Sequence, residues 1–406
     1  MQLPPRKQTI MKIILAPDSF KGNLTSLQVA SALEKGIKRV VPNANCVKVP
    51  MADGGEGTVQ SLVDAVGGKF IRKRVKGPAG KLVSARYGML SDGKTAVIEM
   101  AEASGLPEVE GTKDKNPMKT TTYGTGQLMM DAINKGANHI ILGLGGSATI
   151  DGGVGMAQAL GVRFLDKRGC EIQELGAGGM LNKIASIDMS GMDPKVKRTK
   201  VTAASDVENP LCGKKGAAHV FGPQKGATPA MVTKLDANLK YFASIIKRDL
   251  HKDVMKLKGA GAAGGLGAGL VAFTGAKLKS GVDIVVEATG LTKHIKGADL
   301  VITGEGRIDS QTAFGKTPSG VAKAARQQKV QTIAIGGGIT DDARGVFDHG
   351  IDGLASACAR DMSLQEAMSN SKAHLANAAE RVIRLILIGK KLAKNPRKVR
   401  KKTRMK

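Results

Sequence analysis

Six short apolar runs in this chain each stop at a loop of glycine or acidic residues, and that punctuation limits the folds open to it. Lys12-Ile-Ile-Leu-Ala16 runs into Asp18, and Cys46-Val-Lys-Val49 into Met51-Ala-Asp-Gly-Gly-Glu-Gly57. His139-Ile-Ile-Leu142 runs into Gly143-Leu-Gly-Gly-Ser147, and Lys200-Val-Thr-Ala203 into Ser205-Asp206. Asp299-Leu-Val-Ile-Thr303 runs into Gly304-Glu-Gly306, and Thr332-Ile-Ala-Ile335 into Gly336-Gly-Gly338. Runs of four or five residues rich in β-branched side chains fit buried strands rather than helices. Helical patterns lie between them. Thr25 suits the N-cap of a helix over Ser26–Val40, with Leu27, Val29, Ala30, Leu33 and Ile37 on a helical period. Further helices are expected over Thr58–Val66, Gly126–Lys135, Pro318–Gln328 and Leu364–Ile388. Strands alternating with helices predict parallel βαβ units, so the fold class is α/β. In such sheets ligands sit beyond the carboxyl ends of the strands, where these loops fall.

Residues 70–100 break the alternation. Phe70–Val75, Leu82–Tyr87 and Thr95–Glu99 are separated by Gly-Pro and Asp-Gly turns and read as an antiparallel meander. The length of 406 residues favours two domains, with ample chain for a core that needs no disulfide or structural metal. Four cysteines with no C-x-x-C pair and no zinc spacing argue against both devices and fit a cytoplasmic setting. No apolar run approaches the roughly 18–20 residues of a membrane span. Residues 1–10 read as a loose extension.

The net charge of +27 is partly local: from Lys390 onward the chain carries ten Lys/Arg and no acid, and the remainder still stands at +17. Such an excess attracts polyanions. Against a nucleic-acid partner stand eight Phe, three Tyr and no Trp, few rings on which bases could stack. The segment 390–406 reads as a solvated basic tail.

The loops themselves carry the chemistry. Gly315-Lys316-Thr317 ends like a phosphate-binding P-loop, but Ser310 stands where its first glycine belongs. Gly259-x-Gly261-x-x-Gly264 has the letters of a dinucleotide loop without a preceding strand; Gly143-x-Gly145-x-x-Ala148 does follow one, and suits an anion-binding loop. Seven acids accompany the glycines: Asp18, Asp53, Glu56, Asp151, Asp206, Glu305 and Asp309. The main basic companions are Lys21, Lys225, Arg307 and Lys316. This mixture suits phosphoryl transfer from a nucleotide. Carboxylates hold Mg²⁺ or accept a hydroxyl proton, and cations offset the charge of the moving phosphoryl group.

At these loops the chain closely resembles the bacterial glycerate kinase family, of the Gar and Glx kinase type. The matching segments are Ala16–Gly22, Pro50–Thr58, Thr121–Gly126, Gly143–Gly153, Ser205–Gly213, Phe221–Gly226, Gly259–Gly269 and Gly304–Thr312. The resemblance implies phosphorylation of D-glycerate by ATP with Mg²⁺. It also implies two α/β domains around a cleft: a discontinuous, flavodoxin-like parallel-sheet domain over 11–67 and 290–389, and a mixed-sheet domain over 68–289. Position 150 is Ile where the family often has Asn.

Roles follow as expectations on that resemblance. Asp206 is the first choice to accept the hydroxyl proton and Asp18 the second, with Lys21 stabilising the transferring group. Arg307, Glu305, Asp309, Asp53 and Glu56 would bind the substrate, with Asp53 and Asp309 sharing Mg²⁺. Gly143, Gly145, Gly146 and Ser147, with Gly264, Gly265 and Gly267, would cradle the phosphates of ATP. One site would thus draw on both ends of the chain. The product is 2-phosphoglycerate or 3-phosphoglycerate, the resemblance favouring the first. A homo-oligomer is compatible with the sequence. Two alternatives stay open: a dehydrogenase using the Gly143 loop, and a basic nucleic-acid-binding protein on a kinase-like fold.

Overall fold

The computed structural model describes residues 10–313 and 315–394. The expected extension therefore lies outside the described residues except for Ile10, and the expected basic tail does so from residue 395 onward. The described chain falls into two compact units, one of residues up to 52 with 286 onward, the other of residues 53–285.

The first unit is built on five parallel strands in the order Gly353–Ser356, Thr332–Gly336, Leu300–Thr303, Lys12–Leu15, Asn45–Lys48. Numbered along the chain this is the flavodoxin-like order 2-1-3-4-5, as expected. Successive strand residues face opposite sides, so Ile335 enters one core cluster with Ile13, Leu15 and Leu33, while Ala334 enters another with Ile308, Ala322 and Val346. The sheet is thus covered on both faces, which explains why its inner strands Lys12–Leu15, Leu300–Thr303 and Thr332–Gly336 read as apolar runs.

The helix Ser26–Val40 starts where its sequence says: Thr25 Oγ1 accepts from Gln28 N–H at 3.3 Å, and Gln28 Oε1 accepts from Thr25 N–H at 3.0 Å. This reciprocal cap satisfies two of the backbone donors left over at any helix start. The helix packs on Ser371–Lys394. The single helix expected over 364–388 is in fact two, Leu364–Ser369 and Ser371–Lys394. Ser369-Asn370-Ser371 lies at the break, and such side chains compete with the helix for backbone hydrogen bonds.

In the second unit the sheet has six strands in the order Lys277–Lys279, Lys200–Ala204, His139–Gly143, Thr95–Glu99, Leu82–Leu90, Gly68–Lys76. The first four are parallel and the last two antiparallel, so the meander extends the parallel array into one mixed sheet. The edge strand carries Lys69, Arg72, Lys73, Arg74 and Lys76, a share of the body's positive charge that also discourages pairing with another chain. A 22-residue helix, Pro229–Leu250, was not anticipated, although Val232, Leu235, Leu239, Phe242 and Ile246 mark its buried stripe. Phe242 meets Phe164 and Phe273 in the core, with ring centroids 6.0 and 6.4 Å away. Residues 53–67, expected in the first unit, belong to the second. The reason is packing: the helix Thr58–Val66 lies on the strands Leu82–Leu90 and Thr95–Glu99, so close that a Cβ on Gly88 would sit 2.9 Å from Val63 and 3.0 Å from Val59. No helix among the described residues is long and apolar enough to cross a membrane.

The contact between Ser26–Val40 and Ser371–Lys394 is tightest at Gly36, where a Cβ would stand 1.9 Å from the Ala376 carbonyl oxygen. Helix backbones cannot approach this closely with any side chain present. Gly36→Ala is expected to lower unfolding stability by about 1–3 kcal/mol in urea titrations. An unchanged urea midpoint would show that the two helices do not pack as described.

Candidate active site

Four strand ends of the second sheet lie side by side in register. Glu99 pairs with Gly143, Gly143 with Ala204, and Ala204 with Lys279. Adjacent strands are about 4.8 Å apart, so the loops that follow are forced into one neighbourhood. They surround a pocket of about 270 Å³ whose lining includes Asp53, Gly54, Gly55, Gly145, Gly146, Ser147, Ser205, Asp206 and Lys225.

Asp53 is held there by close backbone approach. Gly54, at φ +90°, packs against Gly281 so tightly that a Cβ on Gly281 would lie 2.0 Å from the Asp53 carbonyl oxygen. The Asp53 carboxylate accepts from Gly55 N–H at 2.9 Å. Gly281 also donates its N–H to Asp206 Oδ1 at 3.0 Å, beside the Ser280 hydroxyl at 3.1 Å. Asp206 is open to solvent on one side. Crowding polypeptide on the other nevertheless pushes its pKa above the ordinary aspartate range, and the charges of Asp53 and Asp283 push the same way.

The Gly143 loop does not open a helix in the dinucleotide manner, since the next helix begins only at Val154. Among the described residues, the N–H groups of Gly145 and Gly146 donate to no protein acceptor. Beside them Lys225, 2% exposed, donates from Nζ to Ser147 Oγ and to Thr149 O, both at 2.8 Å. Burial pushes this lysine down to about 7, against the opposing pull of Asp151. Lys225 had stood only among the basic companions of the loops, without a site role. Its signal was its place in Phe221-Gly-Pro-Gln-Lys-Gly226.

Gly143 is buried under the loop, where a Cβ would lie 2.9 Å from Gly54 O. Gly264, Gly265 and Gly267 are buried too, behind the pocket, whose lining takes Ala262 and Ala263 from that segment. Gly264 packs on Thr149, where a Cβ would lie 1.9 Å from its carbonyl oxygen. Ile150 faces the hydrophobic core, which accounts for an apolar residue at that position. Asp151 is fully buried, and burial pushes its pKa up. Its oxygens accept from Thr122 N–H at 2.8 Å, Thr122 Oγ1 at 2.7 Å, Gly153 N–H at 3.0 Å and Gly155 N–H at 3.3 Å, so it fastens two helix starts.

The helix Thr58–Val66 has no side-chain cap of its own at Gly57. Glu99 supplies one from the neighbouring strand, accepting from Val59 N–H at 2.9 Å and from Gly57 N–H. Burial raises its pKa above the usual glutamate range. Glu99 thereby anchors the far end of the Asp53–Gly57 loop. Glu56, in the same loop, is exposed.

The remaining expected residues lie in the first unit. Asp18 is buried, and its carboxylate accepts from Ser19 N–H and from Thr317 Oγ1, both at 2.6 Å. Glu305 accepts from Thr312 Oγ1 at 2.6 Å. Asp309 accepts from Gln311 N–H at 3.0 Å and lies 3.4 Å from Lys316 Nζ, which is also 3.8 Å from Glu305. Lys21 and Arg307 are exposed, Lys21 in the turn between Phe20 and Leu24, and Arg307 on the short strand Arg307–Ile308.

The second unit thus has the design of an α/β enzyme that handles anions at the carboxyl ends of parallel strands, with an N–H loop, a buried cation and paired carboxylates in one pocket. Comparison with known proteins narrows the class. The profile of the Glycerate kinase family matches residues 13–387. The chain is 55% identical to a glycerate kinase of Halalkalibacterium halodurans, over 91% of this chain and 97% of that one. It is 48% identical to the glycerate 2-kinase of Escherichia coli, over 93% and 99% respectively. A crystal structure assigned as a glycerate kinase 2 from Salmonella typhimurium LT2 superposes with a TM-score of 0.87 at 47% identity, covering 95% of this chain and all of that one. The chain belongs to the glycerate kinase family and is a kinase. That sets aside the dehydrogenase alternative.

Glu99 gives the site a measurable pH signature. A carboxyl whose pKa is raised by folding stabilises the fold below its unfolded pKa, and that contribution is lost as pH rises through its folded pKa. Glu99→Gln keeps an acceptor for Val59 but has no charge to bury. Its stability relative to the wild type should therefore increase as pH rises above the ordinary glutamate range. Glu99→Ala loses the cap and should be less stable throughout, by about 1 kcal/mol. Urea unfolding at several pH values checks both, and a pH-independent Gln-to-wild-type difference would rule out the buried charge.

Proposed function

We propose that this protein transfers the terminal phosphoryl group of ATP, with Mg²⁺, to D-glycerate and forms 2-phosphoglycerate. The observation that carries the reading is the second-unit pocket, where the Gly145–Gly146 N–H groups and two carboxylates line one cavity. The relatives' names support the acceptor, and that of the Escherichia coli relative supports the 2-position. The cytoplasm is the proposed setting, since ATP is available there.

The residues fit a cation. Asp53 and Asp206 share the lining, and the charge of Asp53 disfavours ionisation of Asp206, a repulsion that a bound cation would relieve. Among the described residues no three acidic, His or Cys side chains converge as a metal cluster. That suits Mg²⁺, which commonly takes one or two carboxylates and fills its octahedron with phosphate oxygens and water. Asp53 is proposed to hold it, and when bound it would offset the charge of the phosphate chain.

Other roles follow from geometry and charge. The loop from Gly143 to Ser147 binds phosphate oxygens, with Gly264, Gly265 and Gly267 setting its shape from behind. Asp206 accepts the proton of the attacking hydroxyl; a pKa above the ordinary aspartate value moves it toward that of an effective base. Asp18 is buried with both carboxylate oxygens engaged, by Ser19 N–H and Thr317 Oγ1, whereas the two donors to Asp206 share Oδ1, so Asp18 anchors its loop instead. Arg307 and Lys21 offer exposed cations to the carboxylate of the acid. Glu305 and Asp309 hold the Arg307 loop in shape, and Asp309 is the second candidate for the metal.

Phosphorus NMR after incubation with D-glycerate, ATP and Mg²⁺ tests the reading directly. A 2-phosphoglycerate signal is expected, 3-phosphoglycerate would overturn the position, and no phosphorylated acid would overturn the function. Asp206→Asn should lower kcat by roughly 10²–10⁴-fold with the urea midpoint unchanged. Retained turnover with a normal pH profile would sink that assignment. Asp53→Asn should raise the Mg²⁺ concentration needed for half-maximal rate, measured by metal titration at saturating ATP.

A further inference from the structure

We propose that Lys225, with Ser147 and the Gly145–Gly146 N–H groups, is the anion-binding centre of the second-unit pocket and takes an anionic oxygen of a substrate. The source is the phosphate chain of the nucleotide or the carboxylate of the acid. The inference rests on the kinase reading above and gives a named cation the task of neutralising substrate charge.

The argument starts from an incomplete ion pair. Lys225 is 2% exposed, yet both acceptors of its ammonium group, Ser147 Oγ and Thr149 O, are neutral. Among the described residues no carboxylate forms a salt bridge with it. Asp151, the acid whose field reaches it, is already occupied by four donors from Thr122, Gly153 and Gly155. Asp53 and Asp206 are the other charged groups of the pocket lining. Lys115, whose backbone touches the adjoining Gly226, pairs its own ammonium with Glu110 at 2.7 Å.

A buried ammonium without a counter-ion is costly, and proteins usually pair it or let the chain reach solvent. Here neither happens, and the group borders a cavity beside two N–H groups without acceptors. All of these donors suit the same kind of ligand. An oxyanion would supply the missing counter-charge and accept from Gly145 and Gly146 at once. Burial pushes Lys225 down to about 7, so above neutrality the free protein holds it mostly uncharged. An arriving anion favours the charged form, and binding must then draw a proton from solvent.

Calorimetric titration of the full chain tests this at about pH 8, in two buffers of different ionisation enthalpy, with ADP, adenosine and D-glycerate as probes. The wild type should take up close to one proton with ADP and none with adenosine if phosphate is the ligand. Uptake with D-glycerate instead assigns the carboxylate. Lys225→Met should bind the responding probe on the order of 10–100-fold more weakly and without uptake. It removes a buried amine that has no counter-ion and replaces it with an apolar chain of similar length, so its thermal stability should change little. Lys225→Arg should restore much of the affinity but not the uptake. If wild type and Lys225→Met bind ADP alike and neither takes up a proton with any probe, Lys225 is not the anion centre, while the nucleotide reading survives. If the wild type binds neither ADP nor D-glycerate, it is the kinase reading of the pocket that fails.

Discussion

Glu99, Gly143, Ala204 and Lys279 occupy one register row of a parallel sheet, and the pocket depends on that row. Each loop lining it either leaves the sheet there or docks on a loop that does. Gly143 leads to Gly145–Ser147, Ala204 to Asp206, and Lys279 to Gly281. Asp53 comes from outside the row but is locked to Gly281, and its loop ends on Glu99. Lys225 reaches the same place by docking on Ser147. A one-residue slip in any of these strands would turn its end residue to the other face. The apolar runs therefore do more than build the core: by fixing register they decide which polar groups can meet.

Two buried polar groups of this unit differ in how their burial is compensated. Asp151 and Lys225 are both nearly inaccessible, and burial opposes the charge of each. Asp151 is compensated by four donors, all from the helix starts that it fastens. Lys225 has two neutral acceptors and no counter-ion among the described residues. A satisfied buried charge explains itself as architecture. One left short of a partner beside a cavity points to a ligand that supplies the rest.

This distinction also marks what the sequence could and could not reveal. Local signals were legible: Thr25 caps its helix as expected, and the glycine–acid loops do follow strands. The flavodoxin-like order came through the family resemblance, because strand adjacency is a long-range property that no local pattern states. Residues 53–67 went to the wrong unit for a related reason, since Val59 and Val63 advertise an apolar face but not which sheet receives it. Ser147 and Lys225 are 78 positions apart, so their hydrogen bond exists only in the fold. Gly264 is a further case, a glycine whose close contact with the Thr149 backbone is visible only in the fold.

The two units solve opposite electrostatic problems. In the first, the carboxylates are mostly committed: Asp18 to Ser19 and Thr317, Glu305 to Thr312, and Asp309 to Gln311 and Lys316. Arg307 is exposed there and has no ion-pair partner among the described residues. In the second, Lys225 is buried, while Asp206 lies open to solvent and under the charge of Asp53. An exposed guanidinium selects little by itself, because water competes with any anion it meets. A buried ammonium discriminates strongly, because only an anion that fits the cavity can repay its desolvation. On this reasoning the buried lysine is the more selective of the two cations. The glycine loops matter for the same reason: without a side chain at Gly145 and Gly146, an oxyanion can reach the backbone N–H groups beside that lysine.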